Sequence, residues 1–217
     1  MPLLVSPHEL NDGYLRNQTY DNLIFEQIQE MVEFTFVPEN TRIFRSDHIN
    51  FVYLRLDSFL DETLSILRLK RISINDEEYY EANKSLSLVK RKGYSKCLYE
   101  YAIRNLDFPI ITDSTHTKPG SSDLWKKFQQ NQDTSGYEIL VFNTKTNHKS
   151  KFIQRNYNDY DIWGWHEDFT YMAREDPKFL QDAVKAGDMN LELYQFLNND
   201  IKKIRDRSHI RLIARRL

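Results

Sequence analysis

The sequence predicts an α/β (α+β) fold, in which a mixed, mostly antiparallel sheet is flanked by helices and followed by a helical C-terminal extension. Three observations predict it. Phe51–Leu56 and Leu64–Ile72 are runs of aliphatic and aromatic residues separated only by Asp57–Thr63, a hairpin spacing. A strand over Tyr79–Val89 runs through a basic, glycine-containing turn into an amphipathic helix, and a short apolar strand follows at Phe108–Asp113. A helix over about Ser121–Gln130 then leads into a strong strand signal at Tyr137–Phe142.

Taken in order, Ser6-Pro7 caps a short helix that Gly13 must end. Asp21 caps a longer one, because Leu23, Ile24, Gln27, Ile28, Met31 and Val32 share a helical face. Phe34 and Phe36 alternate as in a strand until Pro38. The hairpin follows, and Asn75–Glu78 is the next turn. Beyond the basic turn, Leu98, Tyr99, Ala102, Ile103 and Leu106 form one apolar helical stripe. After Thr146 the character changes. Asn156–Trp165 is an aromatic, Asn/Asp-rich stretch that reads as an ordered loop. Asp176-Pro177 starts a helix that Gly187 stops, and Leu191, Tyr194, Leu197, Ile201 and Ile204 mark another. Residues 1–150 thus read as the sheet domain, with a core of about 20–150, and 151–217 as the helical extension.

Bulk properties narrow the function classes. The 217 residues suffice for one domain with an appendage, and the net charge of −2 argues against a general nucleic-acid binder. No stretch approaches the roughly 18 consecutive apolar residues of a membrane span. The first residues have neither the basic region nor the apolar core of a secretory signal. The single Cys97 makes no internal disulfide and fits a reducing cytoplasm. Metal binding is not expected, since His148, His166 and His209 lack ligand spacing. Residues 201–217 carry a formal charge of +6, leaving −8 for the rest. That segment reads either as the solvated face of a helix or as a dock for an acidic protein or nucleic acid.

The turn between strand and helix is the most informative feature. A helix opening after a glycine turn aims its first backbone N–H groups and the positive end of its dipole at the incoming loop. Such an end suits a phosphate or pyrophosphate, although a basic strand-to-helix turn is also a common solvated surface. Lys90-x-x-Gly93-x-Ser95 resembles the acyl-CoA pyrophosphate loop of the GNAT superfamily of N-acetyltransferases. Lys stands where that family usually has Arg or Gln, and Ser where it has Gly or Ala. Leu98-Tyr99-Glu100, the strand ending at Asp113, and Leu124-Trp125-Lys126-Lys127-Phe128 follow in the family's order. Phage-encoded members look most similar over Gly93–Phe128, and the overlap extends over about Phe51 to Val141.

The resemblance implies acetyl transfer from acetyl-CoA, a cosubstrate, to an amine of a small molecule or protein in the cytoplasm, or a host's cytoplasm for a phage protein. It implies no metal. It places the pyrophosphate on Val89, Lys90, Arg91, Lys92, Gly93, Tyr94, Ser95 and Lys96. It also implies that the strands on either side of the helix splay, freeing backbone groups for the pantetheine arm. Glu81 and Asp113, with Glu78 beside them, are the candidate general bases. Trp125 stands where the family often has a tyrosine acid, and an indole N–H does not usefully protonate a thiolate. A silent domain of the same fold, acting as a binding or virion-associated protein, is therefore the other reading. Cys97 at the helix start is either a packed thiol or a nucleophile activated by the helix end.

Overall fold

The computed structural model describes residues 2–3, 23–28, 38–87, 92–113, 121–153, 156, 162, 177–186, 195 and 209–217. The chain divides into two units. One comprises residues 1–111, 133–138 and 214–217, and the other residues 112–132 and 139–213.

In the first unit, β1 (Pro2–Leu3) and β2 (Glu26–Gln27) precede a meander of β3 (Thr41–His48), β4 (Phe51–Ser58), β5 (Thr63–Ile74) and β6 (Glu77–Ser87). β2 through β6 pair antiparallel in sequence order. Tight turns set the registers. Asn75 and Asp76 both have positive φ, the requirement of a two-residue hairpin turn, and Asn and Asp tolerate it better than most side chains. β4 buries Val52, Tyr53, Leu54, Leu56 and Asp57, and β5 buries every residue from Thr63 to Leu67. Such continuous burial means cover on both faces. β5 then emerges, with Lys70, Arg71 and Ser73 exposed.

Between β5 and β6 the register shifts. Arg68 opposes Lys84 while Leu69 opposes Ala82, so Asn83 is the extra residue of a bulge. Arg68 holds it through Nε to Asn83 Oδ1 at 2.7 Å, with its guanidinium over the Phe51 ring at 5.3 Å. A bulge exchanges the faces of all residues beyond it.

β6 leads to α1 (Tyr94–Asn105) and then β7 (Ile110–Ile111), which pairs parallel with β6 at Tyr80↔Ile110 and Glu81↔Ile111. The expected parallel neighbours are therefore present, although β7 is shorter than Phe108–Asp113. Every residue of α1 from Cys97 to Ile103 is buried, not only the predicted stripe. One side lies on β5, β4 and β6. Later chain reaches the helix as well, since Arg104 lies over the Tyr137 ring at 5.9 Å and Arg216 Nη1 donates to Arg104 O at 3.4 Å.

α2 (Ser121–Ser135) and β8 (Tyr137–Asn143) run through both units, joined by Gly136 at a positive φ of 68°. In the second unit α2 buries Trp125, Phe128 and Gln132, spaced three and four apart on one helical face. Gln132 acts as a polar clasp. Its Nε2 donates to Phe152 O at 3.2 Å and its Oε1 accepts from Ile139 N at 3.0 Å. β9 (His148–Lys151) pairs antiparallel with β8. Helix α3 (Pro177–Lys185) begins at the predicted proline.

Two expectations and one omission need correction. The helix capped by Asp21 is not formed over residues 23–28. There the chain is extended, Glu26 and Gln27 pair with Arg45 and Phe44, and Ile24 is 80% exposed. Here pairing to β3 decides the conformation over the helical stripe. β3 itself, with Ile43 and Phe44 as its only large apolar residues, carried too little signal to be predicted. The last correction concerns the basic C-terminus. Residues Ile210–Arg216 form strand β10, not the end of a helix, and Leu212, Ile213 and Ala214 are buried. Thr112 clasps Leu212 through its amide (2.9 Å) and its hydroxyl (3.0 Å), and Arg211 Nη1 donates to Thr112 O at 2.7 Å. Arg215 pairs with Glu138 at 2.6 Å. The expected elements at Ser6–Gly13 and Phe34–Phe36, the helix over 190–204 apart from residue 195, and residues 201–208 of the basic segment lie outside the described residues.

If β10 is structural, Leu212→Ala lowers unfolding free energy by about 2–5 kcal/mol. Arg215→Ala, removing an ion pair whose arginine is half exposed, costs about 1 kcal/mol or less. Urea denaturation followed by circular dichroism measures both.

Candidate functional site

The turn between β6 and α1 is described from Lys92 onward, and Val89, Lys90 and Arg91 lie outside the described residues. Gly93 is the N-cap of α1, with φ 81° and ψ 2°, a left-handed conformation that glycine adopts without steric cost. It gives the helix no side-chain cap, and the first turn holds no acid. The amides of Tyr94, Ser95 and Lys96 thus have no helical acceptor, whereas Cys97 N donates to Gly93 O at 3.0 Å. Together these features leave the positive end of the helix dipole unneutralised at the turn.

The cations of the turn differ in what they face. Lys92 is exposed. Lys96 folds back one helical turn to Glu100, Nζ to Oε1 3.5 Å, and Glu100 is fully buried. Neither oxygen of Glu100 accepts a hydrogen bond from the described residues, so Lys96 is its compensation. Lys96 is therefore committed inward.

Ser95 is tied to the sheet. Its Oγ lies 2.5 Å from Ser87 Oγ and 3.4 Å from Ser65 Oγ, and it accepts from Ser85 Oγ at 3.3 Å. Ser65 and Ser87 are also in contact at 2.8 Å, and Ser65 donates to Leu86 O at 2.7 Å.

Cys97 is fully buried, and its thiol is pushed up to about 12 by burial first and the Glu100 carboxylate second. This is a packed thiol and not an activated nucleophile. Tyr137, on the strand end that meets α1, is likewise pushed up to about 12 by burial and then Glu100, with Ser135 and Arg104 acting in the opposite direction. Sequence reasoning missed this buried group of Glu100, Arg104 and Tyr137. A glutamate inside an otherwise apolar helical stretch was its one visible signal.

The candidate bases separate. Glu81 shares the first unit with the turn, half-buried on β6, where its register partners are Lys70 and Ile111. Glu78 is engaged by Arg71, Nε to Oε2 2.9 Å. Asp113, half-buried just after β7, belongs to the second unit. So does Trp125, which is 1% exposed and meets Phe128 edge to face at 5.9 Å. The edge of β6 beyond Glu81 is not paired by β7, and β1 lies parallel along it at Ser85 and Leu86.

Elsewhere in the first unit, Asp47, His48, Arg71 and Tyr80 line an open recess with Ile49, Phe51 and Val52. Its charges are already matched. Arg45 grips Asp47 through two bonds of 2.8 and 3.0 Å, while Arg71 lies over Phe108 at 4.7 Å as well as pairing with Glu78. Among the described residues, no group of His, Cys, Asp and Glu is placed to hold a metal, and no helix is long and apolar enough to cross a membrane.

Cys97 and Tyr137 hold their protons more tightly folded than unfolded, so their contribution to stability is complete below the unfolded thiol value, about pH 9. It is lost as pH rises toward 12. Native protein at pH 8 should leave Cys97 unmodified by a thiol reagent that modifies it in urea. Cys97→Ala and Tyr137→Phe should each flatten the fall of stability with alkaline pH, measured by denaturant titration.

No protein-family model, no curated protein and no solved structure matches this chain.

Proposed function

We propose that this chain binds acyl-CoA at the Gly93 turn and transfers the acetyl group of acetyl-CoA to an amine. The observation that carries the reading is local. A left-handed glycine opens a buried helix whose first turn has no acid and no side-chain cap, and the helix joins two parallel neighbouring strands. This is a backbone cradle with a net positive field, which fits a pyrophosphate. The resemblance to the GNAT superfamily supplies the choice of acyl-CoA among phosphate-bearing ligands.

Acetyl transfer asks three things of the protein. The thioester carbonyl must be polarised, the amine must lose a proton, and the leaving thiolate must be stabilised. The backbone of β6 between Glu81 and Ser85, along the edge shared by β7 and β1, would supply the groups for the first. Glu81 is the preferred base, because it lies on that strand. The third task falls to a donor other than Trp125.

A second reading keeps the fold and the ligand but not the turnover. It is favoured by Trp125, a buried indole at the position where the resemblance expects a phenol. Binding and transfer are therefore measured separately.

Calorimetry with CoA and acetyl-CoA tests the site. Saturable binding is expected, and Gly93→Val should abolish it, because a β-branched residue at a φ of 81° rearranges the turn. No binding at millimolar ligand would falsify both readings. Turnover in a thiol-release assay with an amine panel then separates enzyme from silent binder.

The β6 edge gives another test. β1 occupies the backbone at Ser85 and Leu86 that a pantetheine arm would use. Deleting residues 1–3 should therefore tighten CoA binding, read in the same calorimetric titration, whereas weaker binding would mean that β1 forms a wall of the site.

A further inference from the structure

The four serines at the start of α1 can share their protons in one arrangement that uses all the short contacts. Ser65 Oγ spends its proton on Leu86 O. It must then accept from Ser87, at 2.8 Å. With the Ser87 proton spent there, the 2.5 Å contact between Ser87 and Ser95 requires Ser95 to donate. Ser85 donates to Ser95 at 3.3 Å. The chain runs in one direction: Ser85 to Ser95 to Ser87 to Ser65 to the Leu86 carbonyl. Each hydroxyl has a single proton, and all four are used. Ser65 and Ser85 are buried, so a broken link leaves a polar group without water to replace its partner. The Asn83 bulge makes the chain possible, because it sets the phase of β6 that brings Ser85 and Ser87 to Ser95.

We propose that Ser95 is a positioning residue: its hydroxyl anchors the first turn of α1 to β5 and β6, presenting the backbone amides of that turn to the anion and not serving as a ligand itself. The inference rests on the reading of this turn as an acyl-CoA site, although the anchoring itself is measurable without ligand. An anchored turn has its amides aligned before the anion arrives, so less ordering is left for binding to supply.

The test compares Ser95→Ala with Ser95→Thr, which keeps the hydroxyl, and with Ser65→Ala and Ser87→Ala, which cut the same chain from the sheet side. Two quantities are read: hydrogen exchange of the Cys97 amide, whose bond to Gly93 O closes the turn, and CoA affinity by calorimetry. Ser95→Ala should speed exchange at Cys97 by about tenfold relative to amides in the middle of β5, the size of one lost hydrogen bond. CoA affinity should fall by a similar factor. Ser95→Thr should retain both, and Ser87→Ala should reproduce both losses. Ser65→Ala should do the same, and if it fails to fold Ser87→Ala alone carries the comparison. Unchanged exchange in Ser95→Ala overturns the proposal. So does a CoA loss confined to Ser95→Ala, which would make Ser95 a ligand. If no variant and no wild-type protein binds CoA while exchange responds as stated, the acyl-CoA reading fails and the anchoring role stands.

Discussion

The burial of α1 is the constraint on which the first unit depends. A helix with seven consecutive buried residues has no solvent-facing side through its middle turns, so it must be enclosed. The meander supplies one wall, and β5, buried from Thr63 to Leu67, emerges beyond it at Lys70, Arg71 and Ser73. Residues far along the chain, Tyr137 and Arg216, meet the last turn of α1 at Arg104. Enclosure in turn fixes the direction of the helix axis, and with it where the Gly93 turn points. The turn is thus the exposed end of an element whose remainder cannot move without opening the core.

Enclosure also explains the charges. Glu100 sits within the enclosed stretch, where an isolated carboxylate costs far more than it does at a surface. Lys96 answers it from one turn earlier, beside the Gly93 turn. One cation of the basic turn is thereby diverted into structure. The same carboxylate helps keep the Cys97 thiol and the Tyr137 phenol protonated. A single buried acid thus adds to what burial already does to the groups around it.

What was legible in the sequence follows from where each signal lies. The hairpin of β4 and β5, the Asn75-Asp76 turn and the order β6, α1, β7 were legible because local patterns, apolar runs and turn residues, determine them. β3 and β2 were not, because they are held by pairing to a neighbour and carry few apolar residues. The Asn83 bulge is invisible for the same reason, since a register shift belongs to two strands at once. At the C-terminus, the mixture of aliphatic residues and arginines in Ile210–Arg216 suits a strand as well as a helix end, and Thr112, about a hundred residues earlier, bonds it as a strand. The glycine of the turn was readable, because a left-handed N-cap needs that residue type. The serine anchor was not, since nothing in residues 65, 85, 87 and 95 taken singly says that they meet.

The proposed binding and the proposed transfer make different demands on this architecture. A cradle would need only backbone amides, a glycine and a helix held in place. Transfer needs side chains with suitable proton chemistry. In the first unit Glu78 is engaged by Arg71 and Cys97 is held as a thiol. In the second unit Trp125 is spent on packing with Phe128. On the proposed reading, sequence change could erode turnover at residues 81, 113 and 125 while leaving the turn intact, because the turn is maintained by the burial of α1 that the fold itself requires. Of the two proposed functions, ligand binding is the one the physical constraints of this fold would protect.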